Sequence, residues 1–297
     1  MSLFEDTNPR ALKELLSEIH SGQMVLPDFQ RDFVWEPGAT RELIVSIANN
    51  YPAGSLLRVR DAQRAFAPRE FEGAPQIDGK SHNFLVLDGQ QRMTSLYQAF
   101  FGVGDHRYYL NLRILVESGD FDEALFYERA STRRAQRLTI EAEQHKEMIL
   151  PLNVLRSGAG GFLNWMLALT NALPVEELKT KQAALMFINQ QWIMAIDDYR
   201  FPVVTLSPET QPDALCTIFE TLNRTGVKLS VFELLTARFW PQNINLRALW
   251  DKAQAEYPII ADFDLDPYYL LQAIALASRK SPSCKRNDVL NLTADDI

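Results

Sequence analysis

The sequence predicts an α+β protein. Three observations carry that expectation: short apolar runs of strand length, clearest at Phe84-Leu-Val-Leu-Asp88; apolar residues recurring three and four apart between such runs; and capping signals where helices open.

Taken in order, Thr7-Asn8-Pro9 followed by Leu12, Leu15, Leu16 and Ile19 predicts a capped amphipathic helix that Gly22 ends. Met24 to Phe29 is extended, Thr40 to Asn49 is helical through Leu43, Ile44 and Ile47, and Tyr51-Pro-Ala-Gly turns the chain into a strand over Ser55 to Val59. After a polar loop, the Phe84 to Asp88 strand stops at a glycine. Met93, Leu96, Tyr97 and Phe100 then recur at helical spacing, so the unit is strand, tight turn, helix. Tyr108 to Val116 reads as a further strand. From about 120 to 198 the pattern is mostly helical, through Phe162 to Leu169 and then Leu178, Leu185, Ile188, Trp192 and Ile196, and is expected to be an inserted helical layer. Strand character returns at Phe201 to Leu206, and a helix on Leu215, Ile218, Phe219 and Leu222 follows. Ser230 with Glu233 is a capping box for the helix that runs to Trp240, and Asp266-Pro267 opens another on Leu270, Leu271 and Ile274. The expected division is a domain over 1–238 and the start of a helical domain over 239–297, continued beyond Ile297.

With 297 residues the chain can form two domains, and 46% hydrophobic with 23% charged residues excludes disordered, collagen-like and coiled-coil classes. No apolar run reaches the ~18 residues of a membrane span, and Met1 to Arg10 lacks the basic start and apolar stretch of a signal peptide, so a cytoplasmic protein is expected. Cys216 and Cys284 cannot build a disulfide framework. Lys and Arg number 30 against 38 Asp and Glu, a net charge of -8, so no overall basic field favours nucleic acid and any DNA contact must be local. The basic run Arg129 to Arg137 reads as a solvated helix face sooner than a phosphate track.

Leu87-Asp88-Gly89-Gln90-Gln91-Arg92-Met93-Thr94-Ser95-Leu96 is the most specific element. A helix N-terminus offers unpaired N–H groups and a positive dipole end, and Gly89 allows close backbone approach, which together suit a phosphate. Arg92 can bridge phosphate oxygens, Thr94 and Ser95 add hydroxyls, and Asp88 can hold a magnesium-bound water or orient a nucleophile. The alternative is that Asp88 is only an N-cap and Arg92 a surface cation. A second element is Gln30-Arg31, set among Phe29, Phe33 and Trp35, where base or ribose contact competes with simple pairing of Arg31 to Asp28 or Asp32. The third runs from Phe219 to Ser230: Asn223 and Gly226 suit a turn, while Arg224 and Lys228 can complete an anion pocket. His20, His82, His106 and His145 are isolated, and no nucleophile elbow or P-loop occurs.

The order P-D-F-Q-R-D-F-V-W (Pro27 to Trp35), Y-P-A-G-S (Tyr51 to Ser55), L-D-G-Q-Q-R-M-T-S-L (Leu87 to Leu96) and F-E-T-L-N-R-T-G-V-K-L-S (Phe219 to Ser230) resembles the GmrSD-type DGQQR family. The resemblance implies a ParB/sulfiredoxin-like small mixed sheet with helices. It also implies a nucleotide-binding and often nucleotide-hydrolysing domain of bacterial restriction systems directed at modified phage DNA. By that resemblance Asp88, Gln90, Gln91 and Arg92 form the catalytic turn, with Gly89, Thr94 and Ser95 beside it and Gln30 and Arg31 across the pocket. Asn223, Arg224 and Gly226, with Lys228, complete it. Nucleoside triphosphate and magnesium are the implied ligands. Family members commonly continue into an HNH nuclease domain, and no His-Asn-His arrangement occurs in this sequence, so a nuclease domain or subunit is the implied partner. Two functions follow as expectations: an NTPase whose turnover gates that nuclease, or a module that binds nucleotide or DNA without hydrolysis and switches assembly.

Overall fold

A computed structural model describes residues 4–28, 30–60, 66–77, 81–156, 160–171, 175–210, 214–215, 218, 221, 230–278 and 283–297. In chain order the elements are β1 (Phe4–Asp6), β2 (Arg10–Ala11), α1 (Leu12–His20), β3 (Met24–Pro27), α2 (Pro37–Ala48), β4 (Leu56–Arg60), β5 (Pro68–Arg69), β6 (Phe84–Asp88) and α3 (Gln90–Phe101). Next come β7 (His106–Asn111), α4 (Leu112–Ser118), α5 (Phe121–Ala124), β8 (Leu125–Arg129), α6 (Arg133–Arg137), α7 (Glu141–Glu147), β9 (Ile149–Pro151), α8 (Gly161–Asn171), α9 (Val175–Ile188) and α10 (Met194–Asp198). The chain closes with β10 (Arg200–Phe201), β11 (Val203–Leu206), α11 (Val231–Phe239), α12 (Leu246–Glu256), α13 (Ile259–Asp262), α14 (Pro267–Ala277) and α15 (Arg286–Leu290).

The fold is α+β, as predicted. Its main sheet has six strands in the order β1-β11-β4-β6-β3-β5, and the β11–β4 and β3–β6 pairs are parallel while the others are antiparallel. Strand residues alternate between two apolar clusters: Met24, Leu26, Phe84 and Val86 join the large cluster under α1, α2 and α3, whereas Val25, Leu85 and Leu87 pack on the opposite face. Both faces of the centre are therefore covered, which is why Phe84 to Leu87 is apolar without interruption. α1 buries Leu12, Leu15, Leu16 and Ile19, the stripe that its spacing predicts.

One charged group enters this interior. Arg58 on β4 is 1% exposed; its Nη1 donates to Glu18 Oε2 at 2.7 Å, its Nε to Thr205 Oγ1 at 3.2 Å, and its guanidinium lies over the Phe84 ring. Burial raises the Glu18 carboxyl and lowers the Arg58 guanidinium from their ordinary values, each opposed by the attraction of the other.

Three local expectations differ from what forms. Pro9 does not open α1: residues 10 and 11 instead pair with Arg200 and Phe201, and Leu12 N–H donates to Tyr199 O at 2.8 Å, so the helix starts at Leu12. The Tyr108 to Val116 stretch is split, β7 giving way at Asn111, whose side chain accepts from Arg113 N and Ile114 N and so caps α4. Within 120–198, β8 and β9 flank β7 in a three-stranded antiparallel sheet, so the helical layer contains a small sheet of its own. The helical part of the basic run is ion-paired surface, where Arg134 meets Glu128 and Arg137 meets Glu143 and Glu147, whereas Arg129 ends β8.

A separate apolar cluster forms from Val231, Phe232, Leu235, Phe239, Leu246, Leu271, Ala275, Val289 and Leu292. It begins at α11, which the Ser230–Glu233 capping box opens as predicted. Among the described residues no helix is long and apolar enough to cross a membrane.

Candidate functional site

β6 delivers the chain to the surface at Asp88, and Gly89 turns it into α3 with φ +97°. A side chain is excluded there twice over. The backbone is left-handed, and a β-carbon would stand 2.9 Å from Leu56 Cδ1. Gly89 itself is the N-cap and has no side chain to offer, while the Asp88 carboxylate lies 3.4 Å from Arg92 Nη2. Asp88 is thus a half-exposed carboxylate paired with a cation, and the opening N–H groups of α3 have no capping side chain.

Arg92 is seated on the Tyr51 to Ser55 turn. Its Nη2 donates to Ser55 O at 2.5 Å, and a β-carbon on Gly54 (φ +85°) would stand 3.0 Å from its Cζ. The turn is held in place by Tyr199, whose hydroxyl donates to Tyr51 O at 2.8 Å and accepts from Ala53 N–H at 2.9 Å. This gives the Y-P-A-G-S motif a physical role: it is a glycine-floored cradle for the motif arginine.

The two glutamines grip a neighbouring segment. Gln90 Nε2 donates to Arg31 O at 2.5 Å, Gln91 Nε2 donates to Asp32 O at 3.0 Å, and Gln91 Oε1 accepts from Val34 N–H at 2.9 Å. Gln30 reaches back, its Nε2 donating to Val86 O at 2.7 Å and Leu87 O at 3.2 Å on β6. The first and third of the quoted motifs are therefore stitched together backbone to side chain, and Arg31 is left exposed beside the α3 N-terminus.

Thr94 and Ser95 are each 1% exposed and belong to the buried side of α3, where Ser95 Oγ donates to Arg92 O. Among the described residues the buried atoms Gln30 Oε1, Arg92 Nε and Thr94 Oγ1 have no hydrogen-bond partner. Polar groups so placed are rare in a finished interior, and a polar ligand is one way to satisfy them. Asn223, Arg224, Gly226 and Lys228 lie outside the described residues.

Sequence reasoning missed three participants. Arg69 on β5 donates through Nη2 to both Gln30 O (2.9 Å) and Arg31 O (2.8 Å); burial lowers its guanidinium, opposed by Asp32 and Glu72. Glu72 Oε1 accepts from Phe33 N–H at 2.5 Å. Tyr199 is the third. None carries a local signal: each acts on backbone atoms of a segment distant in sequence.

No group of three or more His, Cys, Asp or Glu residues suited to a metal occurs among the described residues. Asp88, a half-exposed carboxylate at the end of β6, is the residue here that would hold a magnesium ion brought in with a phosphate ligand.

The family described as "GmrSD restriction endonuclease, N-terminal domain" matches residues 12–240, which include both glutamine-stitched motifs and the Arg92 cradle. The chain is also 30% identical over 320 residues to the uncharacterized protein MJ0686 of Methanocaldococcus jannaschii, an alignment that takes in 98% of this chain and 52% of that protein. The chain thus spans about half the length of this curated relative. A match over most of the chain means that the chain belongs to the GmrSD restriction endonuclease family, a family of restriction and phage defence, and carries its N-terminal domain.

Proposed function

We propose that the α3 N-terminus, with Asp88, Gly89, Arg92, Gln30 and Arg31 around it, binds the phosphates of a nucleoside triphosphate, and that hydrolysis there gates a nuclease directed at modified phage DNA. One observation carries the reading: an uncapped helix N-terminus is framed by a left-handed glycine, a seated arginine and a carboxylate, with unsatisfied Gln30 Oε1 buried beside it. Gly89 lets phosphate approach the backbone, and Arg92 and the exposed Arg31 neutralise charge that develops during transfer. Asp88 orients the attacking water or holds a magnesium-bound one. Magnesium, arriving with the triphosphate, supplies charge neutralisation on the phosphate oxygens. Gln90 and Gln91 act by fixing the 31–34 segment across the pocket, Thr94 and Ser95 support the first turn from beneath, and the assignment of Asn223, Arg224, Gly226 and Lys228 to the same function rests on their motif alone. The ParB/sulfiredoxin relationship that the motifs imply is compatible with the mixed sheet. The partner nuclease is of HNH type, supplied by the same polypeptide or a separate one, and the setting is the cytoplasm. A second reading keeps the same pocket but makes nucleotide a switch that is bound and released unchanged.

Phosphate release from ATP, GTP, CTP and UTP with magnesium, with and without DNA, tests the first reading. Arg92→Ala should lower turnover about 100-fold or more, the cost of removing one charge-stabilising donor, and weaken binding with it. Asp88→Asn should abolish turnover while sparing binding. Binding without phosphate release from any nucleotide would transfer the assignment to the non-hydrolysing switch, and absence of both binding and release would defeat each reading.

A further inference from the structure

A cavity of about 520 Å³ opens on the far side of the gripped segment, between residues 33–37, the start of the loop after β5, the middle of α3 and the turn before β7. That volume lies in the range of small-molecule sites. It is separate from the first turn of α3: Gln91 and Gln98 are seven residues apart on one helix face, roughly 10 Å along the axis, and Gln91 grips the segment while Gln98 lines the cavity.

The lining has a definite chemistry. Phe33, Trp35 and Tyr108 contribute ring surfaces. Tyr108 is fixed, buried to 5% exposure with its hydroxyl donating to Pro37 O at 3.4 Å, and Thr40 beneath it is 2% exposed. Glu36 and Asp105 contribute carboxylates that enter no ion pair among the described residues, and a third, Glu72, already accepts the Phe33 N–H. Among the described residues of the lining, Arg129 is the lone permanent cation. Ionised carboxylates accept hydrogen bonds and cannot donate them, so the cavity combines aromatic surface with an excess of acceptors. A ligand that satisfies both is flat and carries N–H donors on its edge. Carboxylate acceptance from an exocyclic amine is how proteins select cytosine, and ring stacking on aromatic side chains holds bases of any kind.

We propose that this cavity binds a planar heterocycle bearing an exocyclic amino group, an adenine-type or cytosine-type base, with Trp35 supplying a stacking surface and Glu36 and Asp105 accepting from the amine. The base belongs either to the nucleotide whose phosphates sit at the α3 N-terminus or to a separate ligand. In both cases occupancy stiffens the segment that Gln90 and Gln91 hold, because Phe33 and Val34 belong to both structures.

Calorimetric titration of the whole chain with free adenine and cytosine, and with hypoxanthine and uracil as ring-matched probes lacking the amine, decides the matter. Adenine or cytosine should bind saturably, at least about tenfold tighter than its amine-free counterpart, a factor expected of one lost hydrogen bond to a charged group. Trp35→Ala, and independently the shape-conserving pair Glu36→Gln with Asp105→Asn, should each remove that binding, while hydrogen exchange of the Val34 amide should slow when base is present. Absence of base binding, or equal affinity for the amine-free rings, would overturn the proposal, as would binding unchanged in the carboxamide pair. Arg92→Ala separates this site from the phosphate site: it should leave free-base affinity intact, and if it also lowers ATP affinity to that of adenine, the base is that of the bound nucleotide.

Discussion

A methyl group at Gly54 would press on the Arg92 guanidinium from a backbone position at φ +85°, so the turn and the cation both depend on its absence. Gly54→Ala should therefore destabilise the fold by about 1–2 kcal/mol, the cost of a left-handed alanine, and should weaken nucleotide binding beyond that. Urea denaturation measures the first effect. A double-mutant cycle with Arg92→Ala measures the second, and additive losses in nucleotide affinity would show that the glycine does not act through the arginine. At this scale the sequence exposes the residues but not their work. The D-G-Q-Q-R string announces a helix N-terminus and an arginine, and both are there. That Gln90 and Gln91 bind the backbone of 31–34 is invisible, because nothing local records which distant carbonyl an amide will meet. Arg69 and Tyr199 are hidden for the same reason.

Between residues and fold, the β6–Gly89–α3 unit was the most legible: a strand buried from Phe84 to Leu87 and an amphipathic helix each announce themselves by period. β8 and β9 were not, being short strands whose pairing with β7 depends on partners some 20 and 40 residues away. α7 and α8 meet through His145, whose ring stands edge-on to Trp165 with centroids 4.7 Å apart. Burial lowers this imidazole below its ordinary 6.5, with Glu141 opposing. A folded-state value below the unfolded one means that the unfolded chain takes up the proton more readily. The contribution of His145 is thus present above about 6.5 and is lost as the pH falls through that value towards the folded-state one. His106, also lowered by burial, has the same sign. Urea midpoints should accordingly drop from pH 7.5 to pH 5.5, and His145→Phe should reduce the drop; an identical drop in that variant would assign the dependence elsewhere.

Over the whole molecule, a net charge of -8 sets the terms of any encounter with DNA. Contacts must be few and local, so affinity measured by fluorescence anisotropy should fall about tenfold between roughly 50 and 200 mM salt if two phosphates are engaged. Affinity that is tight and flat across that range would contradict the expectation. The α+β class and the apolar α11 onset were readable from period and capping. The strand order was not, since it rests on pairings across long separations. One of these long-range pairings has a consequence for biosynthesis. β4 lies between β6 on one side and β11 on the other, and its Arg58 pairs with Thr205, 147 positions later. Until the ribosome has delivered that far strand, one side of β4 presents unpaired peptide groups able to recruit any extended chain nearby. At usual synthesis rates of about 5 to 20 residues per second the exposure lasts roughly 7 to 30 s. The nascent protein therefore passes through a period in which chaperone capture and misassembly compete for the same open edge, and slowing translation between these two strands should lower the yield of folded protein.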